Sequence, residues 1–256
     1  MGRLSGKVAI ITGGAGGIGA ATAELFCAEG CRVALVDVEG KVLADVATSI
    51  RQRQPRAEVL ELAADVSVES SAATIVAATL KAYGALDVLV NNAGIRAYEP
   101  LAEAKAETWQ KILATNLLSY AFLAREALPA LRKSGKGSIV NISSTHAFNP
   151  RAGMGQYDVA KAGIISLTKT LAFEEVSHNV RVNAVCPGLT LTPFHVRRAE
   201  AAGRTEQDLR NEKTGHNIMQ RWADPREVAC PILWLASDEA SFMTASTIMV
   251  DGGTHV

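Results

Sequence analysis

The sequence lacks an excess of charge of either sign, because 26 Lys and Arg residues balance 26 Asp and Glu residues over 256 positions. This balance argues against a nucleic-acid-binding protein, which normally carries a basic excess. No run of about 18 uncharged apolar residues occurs, so the sequence predicts no membrane span. No apolar stretch with a small-residue cleavage site precedes the first strand-like segment, so we expect no signal peptide. These absences favour a cytoplasmic protein.

The sequence is also poor in cysteine, with only Cys27, Cys31, Cys186 and Cys230. They form no Cys-x-x-Cys pair, and no group of histidines accompanies them, so the pattern predicts no metal site. We expect them to be small buried hydrophobic residues in a reducing cytosol.

Short apolar runs alternate with helix-like segments along most of the chain. The predicted strands are 8–11, 32–36, 57–62, 86–90, 137–143, 180–186 and 247–250. The predicted helices are 20–29, 41–51, 68–83, 107–133, 154–176 and 225–235. Runs rich in β-branched residues are typical of parallel strands that are buried on both faces. The sequence therefore predicts an α/β fold: one doubly wound, seven-stranded parallel sheet with helices on both faces.

No low-complexity linker and no internal repeat divides the sequence, which favours a single domain over 1–256. One long segment, 189–224, lies outside the alternation of strands and helices, and it is polar, charged and helix-prone. Insertions of this size in α/β domains are often lids or binding loops. We therefore expect 189–224 to be a substrate-binding lid.

A glycine-rich turn follows the first predicted strand, with glycines at 13, 14, 16, 17 and 19. Such a turn between a strand and a helix lets the backbone approach a phosphate, whose oxygens meet free N–H groups at the helix N-terminus. Asp37 ends the second strand, where a carboxylate accepts hydrogen bonds from ribose hydroxyls and repels a 2′-phosphate. The alternative is that Asp37 only caps the next helix.

These motifs resemble the classical short-chain dehydrogenase/reductase family, whose Thr-Gly-x-x-x-Gly-x-Gly pattern matches 12–19. Further matches extend over nearly the whole chain: Asp65, Asn91-Asn92-Ala93-Gly94, Asn116, Ser144, Tyr157-x-x-x-Lys161, Pro187-Gly188 and Asp251-Gly252-Gly253. The resemblance implies a single-domain Rossmann-type fold that binds NAD. It implies the following cofactor-binding residues: Gly13, Gly16, Gly17, Ile18, Gly19, Asp37, Asp65, Val66, Asn92, Ala93, Gly94, Tyr157, Lys161, Pro187, Gly188, Leu189 and Thr192.

The resemblance also implies a catalytic tetrad of Asn116, Ser144, Tyr157 and Lys161. Tyr157 and Lys161 are four residues apart on a predicted helix, so they share a face. A nearby ammonium favours the phenolate, which lets the tyrosine act as a general base. In the family, the serine holds the substrate oxygen, the lysine also binds the nicotinamide ribose, and the asparagine holds a water in a proton relay.

Three features depart from this pattern or leave it ambiguous. Ser143 competes with Ser144, and only the 13-residue separation from Tyr157 favours Ser144. Where the family often has Thr-Gly before the last strand, this chain has Thr244-Ala245. Where the family often has Gly before the proline of the last long helix, this chain has Asp224. Both departures lie away from the chemistry and affect local turns.

We consider three functions. The first is an NAD-dependent dehydrogenase that oxidises a secondary alcohol, with the hydride carried by the cofactor. The second is an NAD(P)H-dependent ketone or 3-oxoacyl thioester reductase; Asp37 argues against a 2′-phosphate, and Val38 and Glu39 offer no cation for one. The third is a non-catalytic NAD-binding protein, which Tyr157 and Lys161 disfavour.

The residues around the expected substrate pocket are mostly cationic. Lid cations are His195, Arg197, Arg198, Arg204, Arg210, Lys213, His216 and Arg221, against Glu200, Glu206, Asp208 and Glu212. Arginine forks bind carboxylate or sulfonate, so we expect a small polar substrate: a sugar, sugar acid or hydroxy acid, including anionic ones. The candidate substrate-binding residues are Arg96, Ser144, His146, Arg151 and His195. The alternative is that the lid arginines are solvated or paired with the lid acids.

The family resemblance further implies a homotetramer, built partly on the predicted helices 107–133 and 154–176. Both helices carry small and apolar residues on more than one face: Ala114, Leu117, Leu118, Ala121, Phe122, Ala160, Ile164 and Leu167. The alternative is that these faces only meet the sheet.

Overall fold

The computed structural model describes residues 2–254. Seven parallel strands form one sheet in the order β3-β2-β1-β4-β5-β6-β7, which confirms the predicted sheet. The strands are β1 Val8–Thr12, β2 Arg32–Asp37, β3 Val59–Ala63, β4 Val88–Asn91, β5 Ser138–Ile142, β6 Arg181–Pro187 and β7 Thr247–Val250. The order reverses between β1 and β4, and in open α/β sheets ligands bind beside the carboxyl ends of the strands at this reversal.

Helices cover both faces of the sheet. They are α1 Gly17–Ala28, α2 Gly40–Arg53, α3 Glu69–Tyr83, α4 Ala106–Leu113, α5 Ser119–Ser134, α6 Gly155–Glu175, α7 Pro193–Glu200, α8 Glu206–Asn211 and α9 Pro225–Ala236. Successive residues of β1 point to opposite faces: Ile11 packs in the core under α1, α2 and α9, and Ile10 in the core under α3, α5 and α6. Two apolar faces explain why these strands read as continuous hydrophobic runs.

Two predicted elements have different bounds in the structure. The predicted helix 107–133 is interrupted by a π-helical turn, Ala114–Leu118, which carries Asn116. Such turns are common at functional sites and leave no mark in hydrophobic periodicity. The third strand begins at Val59 rather than at 57, because the N–H of Ala57 donates to the carbonyl of Gln54 in a turn.

The segment 189–224 leaves the sheet after β6 and contains α7 and α8. Its two ends are joined, because Leu191 N–H donates to the Ala223 carbonyl and Ala223 N–H donates to the Leu189 carbonyl, both at 2.9 Å. The two helices pack on each other through a small apolar cluster of Leu191, Ala199 and Leu209. Residues 189–224, the predicted lid, thus form an ordered flap whose two ends are hydrogen-bonded to each other. No helix within residues 2–254 has the length and apolar character to cross a membrane.

The two departures from the family pattern have distinct structural outcomes. Ala245 adopts a left-handed backbone conformation, with φ of 55°, at a turn where glycine is favoured. Asp224 caps α9 instead: its side chain accepts from Arg226 N–H, and Glu227 accepts from Asp224 N–H, forming a capping box.

Candidate active site

The glycine-rich turn is held against the loop that follows β4. The Thr12 hydroxyl accepts hydrogen bonds from Asn92 N–H and Ala93 N–H at 2.9 and 3.0 Å. Gly13 has φ of +68°, and a Cβ atom on Gly19 would lie 2.1 Å from the Gly13 carbonyl oxygen. Side chains at these two positions are therefore excluded, and the backbone between β1 and α1 stays bare.

Asp37 ties the end of β2 to this turn. Its Oδ2 accepts from Ala15 N–H at 2.9 Å, and its Oδ1 accepts from Glu39 N–H at 3.1 Å. The N-cap residue of α2 is Glu39 rather than Asp37. Because Asp37 also binds the backbone of the glycine turn, it does more than cap that helix. The next side chain, Val38, is exposed and carries no charge.

Asp65, beyond β3, makes a tight turn of its own. Its Oδ1 accepts from both the N–H and the hydroxyl of Ser67, at 2.9 and 2.7 Å. This turn is followed by the start of α3 at Glu69. The carboxylate thus fixes the crossover after β3 at the same carboxyl edge of the sheet as Asp37.

A cavity of about 760 Å³ opens at the carboxyl edge of the sheet. It extends from Ile18 and Asn92 beside the glycine turn to Thr192 and His195 in the flap, and Ser144, Tyr157 and Lys161 line it. Thr192 also lies against the turn, since a Cβ atom on Gly17 would come within 3.0 Å of its side chain. The glycine turn without side chains, the carboxylate of Asp37 at the end of the next strand and the adjoining cavity fit a dinucleotide.

Three of the four predicted tetrad residues line this cavity, and the fourth lies behind it. Lys161 Nζ donates to the Ile142 carbonyl at 2.8 Å and lies 5.6 Å from the centre of the Tyr157 ring. A Cβ atom on Gly94 would lie 3.5 Å from Asn116 Oδ1 and 3.6 Å from Lys161 Nζ. Gly94 thus lies between these two polar side chains, at contact distance from both.

The structure separates the two serines. The Ser143 hydroxyl is buried and donates to the Lys161 carbonyl at 2.7 Å, so it supports the helix α6. Both serines line the cavity, but the Ser144 hydroxyl accepts from His146 N–H at 3.1 Å and donates to no protein group in the described residues. The structure therefore agrees with the choice of Ser144 over Ser143.

Burial, together with the positive charge of Arg96, lowers the pKa of the Lys161 ammonium to about 7. Lys161 therefore gains and loses a proton near neutral pH. An ordinary lysine, which titrates near pH ~10.4, does not.

The predicted substrate-binding residues gather on two sides of Tyr157. Arg96 Cζ lies 5.3 Å from the Tyr157 ring centre, and Arg96 Nη1 lies 3.2 Å from His195 Nε2. The His146 ring meets the Tyr157 ring edge-on, with 5.6 Å between their centres. Arg151 stands further out and lines a second cavity of about 540 Å³, which adjoins the first at Arg96, Ser144 and His195.

One buried acid at this site was not predicted from the sequence. Asp158 Oδ1 lies 2.7 Å from His146 Nδ1, and Asp158 Oδ2 accepts from Arg151 N–H at 2.8 Å. Burial lowers the pKa of His146 despite the opposing hydrogen bond to Asp158. Asp158 follows Tyr157 directly, but its pairing depends on the loop that carries His146, and no sequence spacing predicts that pairing.

The flap arginines divide into two groups. Three are paired with acids: Arg204 with Glu212, Arg210 with Glu206, and Arg221 with Glu227. Arg204 and Arg210 pair with acids of the lid, as that alternative predicted, whereas Arg221 pairs with Glu227 of α9, outside the lid. Arg197 and Arg198 line the cavities, and no ion pair involves them among residues 2–254. Within the same range, no three His, Cys, Asp or Glu side chains converge as metal ligands would.

Comparison with known proteins decides the family. The family model described as enoyl-(acyl carrier protein) reductase matches residues 13–255. The short chain dehydrogenase/reductase astE of Aspergillus oryzae is 38% identical over 252 residues, covering 98% of this chain and 95% of the relative. The chain belongs to the short-chain dehydrogenase/reductase family. Members of this family are oxidoreductases of alcohol and ketone groups that use nicotinamide cofactors.

Two further proteins, one compared by sequence and one by structure, are similar to this chain over nearly its whole length. The cis-4-hydroxycyclohexanecarboxylate dehydrogenase of Sinomonas cyclohexanicum is 39% identical over 249 residues, which are 96% of each chain. The solved structure of L-sorbose reductase from Gluconobacter frateurii, complexed with NADPH and L-sorbose, superposes with a TM-score of 0.94 at 35% identity. That superposition covers 100% of this chain and 99% of the other.

Proposed function

We propose that the protein is an NAD-dependent dehydrogenase that oxidises a secondary alcohol of a small polar substrate to the carbonyl. The substrate is a sugar, sugar acid or hydroxy acid, including anionic ones. The observation that carries this proposal is one continuous cavity, in which Ser144, Tyr157 and Lys161 stand between the glycine turn and the flap.

The cofactor would lie along the carboxyl edge of the sheet. The glycine turn and the start of α1 would hold its phosphates, Asp37 the adenosine ribose, and Asp65 and Val66 the adenine. The backbone of Asn92, Ala93 and Gly94, the Pro187-Gly188-Leu189 turn, Thr192 and Lys161 would hold the nicotinamide half. NAD, when bound, supplies the site that accepts hydride.

The proton chemistry falls to the side chains around Tyr157. The Ser144 hydroxyl donates a hydrogen bond to the substrate oxygen, and the Tyr157 phenolate accepts the proton of the alcohol. Lys161, which exchanges protons near neutral pH, passes that proton on. Asn116 holds the loop at Ile95, which borders this part of the cavity. In the proposed relay it would also hold a water that connects Lys161 to solvent.

Asp37 supports NAD over NADP. The Asp37 carboxylate, which accepts a hydrogen bond from Ala15 N–H, would repel a 2′-phosphate, and Val38 and Glu39 bring no positive charge. The competing proposal is an NAD(P)H-dependent ketone or 3-oxoacyl thioester reductase, and the NADPH in the related L-sorbose reductase structure favours it.

Two further proposals concern the chain as a whole. We treat residues 1–256 as a single domain whose segment 189–224 is a substrate-binding lid, with Arg96, Ser144, His146, Arg151 and His195 as substrate contacts. The cytoplasmic location stays a prediction.

We also propose a homotetramer that uses the outer faces of α5 and α6. Of the residues predicted for this contact, Ala160 and Ile164 are buried, whereas Leu118 is exposed. Phe173 of α6 adds to this face, since 78% of its surface is exposed. Light scattering that gives a monomer mass at micromolar concentration would reject the tetramer.

The decisive experiment is turnover by pure protein with a panel of secondary alcohols, sugars and hydroxy acids, with NAD and NADP in parallel. Tyr157→Phe should bind NAD and keep its fold, and it should lose about 10²–10⁴ in turnover. Tyr83→Phe, far from the cavity, is the matched control and should behave as wild type. Turnover in folded Tyr157→Phe that equals wild type would refute the assignment.

A further inference from the structure

The guanidinium of Arg96 lies at the junction of the two cavities, and it has no acid beside it. Its Cζ lies 5.3 Å from the ring centres of both Tyr157 and Phe194, and Nη1 is 3.2 Å from His195 Nε2. No carboxylate among residues 2–254 forms an ion pair with it, and the groups that raise its pKa are the phenols of Tyr157 and Tyr98. Arg96 is half-buried among these phenols and the rings of Phe194 and His195.

His195 is a neutral partner of Arg96. An arginine only donates hydrogen bonds, so His195 Nε2 must accept from Nη1, and the proton lies on Nδ1. Nδ1 is 3.1 Å from Thr192 Oγ1 and can donate to it. Burial and the neighbouring Arg96 lower the pKa of His195 to about 4. The imidazole therefore orients Arg96 without neutralising its charge.

A cation in this position calls for an anion from outside the chain. Removing a charge from water is costly unless a counter-charge compensates it. Other flap arginines have such partners, as Arg204, Arg210 and Arg221 show, and Arg204 has one although it lines the second cavity. The phosphates of a cofactor are expected at the glycine turn, whereas Arg96 stands beside Tyr157. The missing anion therefore belongs at the substrate end of the cavity.

We propose that Arg96 binds a carboxylate of the substrate, and that the substrate is a hydroxy acid rather than a neutral sugar or alcohol. This inference rests on the proposed function, which it narrows. The planar fork of a guanidinium matches a carboxylate in two parallel hydrogen bonds. Its five N–H groups leave donors for a ligand besides those that face His195 and the phenols of Tyr98 and Tyr157. His195 is a positioning residue: it fixes the guanidinium between the flap and Tyr157.

The test compares acids with their neutral isosteres. The probes are 2-, 3- and 4-hydroxypentanoate and cis-4-hydroxycyclohexanecarboxylate, each beside its primary amide, with NAD as the oxidant. Wild type should prefer at least one acid over its amide by tenfold or more in kcat/KM. In Arg96→Gln, that acid should lose about 10- to 100-fold, mainly through KM, as expected for a lost charged hydrogen bond. Its amide should change less than threefold.

Companion variants separate position from charge. Arg96→Lys keeps the charge but not the fork, so it should fall between wild type and Arg96→Gln. His195→Phe keeps the ring packing against Phe194 and Trp222 but loses the acceptor, so it should reduce the preference for the acid. His195→Gln restores an acceptor and should recover part of it. Arg210→Gln, which removes a flap arginine already paired with Glu206, should match wild type.

Two kinetic outcomes would overturn the inference. An equal loss of kcat on acid and amide in Arg96→Gln would mean that Arg96 acts on Tyr157 rather than on the substrate. An unchanged preference would mean that it acts on neither. Calorimetric binding of the same acids and amides to Tyr157→Phe with NAD keeps the test independent of turnover. If no probe is oxidised, the proposed dehydrogenase fails, while stronger binding of acid than amide, lost in Arg96→Gln, still supports the carboxylate site.

Discussion

The side-chain amide of Asn116 holds the backbone of Ile95 at both of its polar groups. Asn116 Oδ1 accepts from Ile95 N–H at 2.8 Å, and Asn116 Nδ2 donates to the Ile95 carbonyl at 2.8 Å. Ile95 stands between Gly94 and Arg96, so this clamp sets the path of the loop that borders the cavity. Asn116 can face Ile95 because the π-helical turn Ala114–Leu118 turns it off the ordinary helical register.

Asn116→Ala should lower the free energy of unfolding by about 1–3 kcal/mol, because it leaves two backbone groups of Ile95 unpaired. Asn116→Asp should also be harmful, because a carboxylate oxygen would then face the Ile95 carbonyl. Urea unfolding measures the stability, and the KM for substrate reports the position of the loop. Asn211→Ala, an exposed asparagine at the end of α8, is the control. Wild-type stability and KM in Asn116→Ala would show that the clamp does not hold the loop.

Asp37→Ala should narrow the preference for NAD over NADP, because it removes a carboxylate that repels a 2′-phosphate. It should also lower kcat/KM with NAD, since the hydrogen bond to Ala15 N–H is lost. The measurement is kcat/KM with both cofactors on one substrate. The control is Asp45→Ala, which removes an exposed acid of α2 and so makes the same change in net charge. It should leave the ratio of kcat/KM with NAD to kcat/KM with NADP unaltered. A wild-type preference for NADP would show that this interpretation of Asp37 is wrong.

Local sequence patterns predicted the sheet and the placement of Ser144, Tyr157 and Lys161 because these depend on short spacings. Tyr157 and Lys161 share a helix face by periodicity alone, and the family's 13-residue separation from Tyr157 selects Ser144 over Ser143. The contacts of Arg96, His146 and His195 could not be predicted in the same way. Arg96 meets His195 across 99 positions of sequence, and His146 meets Asp158 only because the loop after β5 folds back on α6. The pairs Arg204–Glu212 and Arg221–Glu227 likewise depend on how the flap folds, whereas Arg210–Glu206 is an i,i+4 pair within α8.

Ala245→Gly should stabilise the protein by about 1 kcal/mol, because a left-handed conformation costs an alanine about 1–2 kcal/mol and costs glycine nothing. Ala245 has φ of 55°, and its N–H donates to the Val182 carbonyl at 2.8 Å, so the turn is fixed by the sheet. Ala201→Gly is the matched control, since Ala201 has an ordinary helical φ of −62°. That change should destabilise the protein or leave it unchanged. Chemical denaturation measures the free energy of unfolding of both variants. A loss of stability in Ala245→Gly would show that the left-handed conformation of Ala245 is not strained.

Lys161 should make the stability of the protein depend on alkaline pH. Burial lowers its pKa to about 7 in the folded protein, whereas an unfolded lysine titrates near pH ~10.4. Between these values the unfolded chain binds more protons than the folded one, so the contribution of Lys161 to stability rises with pH and is lost as pH falls through about 7. Lys161→Met keeps the length of the side chain without its charge.

The quantity to measure is the difference in unfolding free energy between wild type and Lys161→Met at about pH 6.5, 8 and 9.5. It should increase in favour of wild type by up to about 1.4 kcal/mol per pH unit. Burial also raises the pKa of the Cys27 thiol, to about 12. That titration lowers stability at high pH, but it is common to both proteins and cancels in the difference. A difference that stays flat from about pH 7 to 10 would mean that Lys161 keeps its charge in the folded protein.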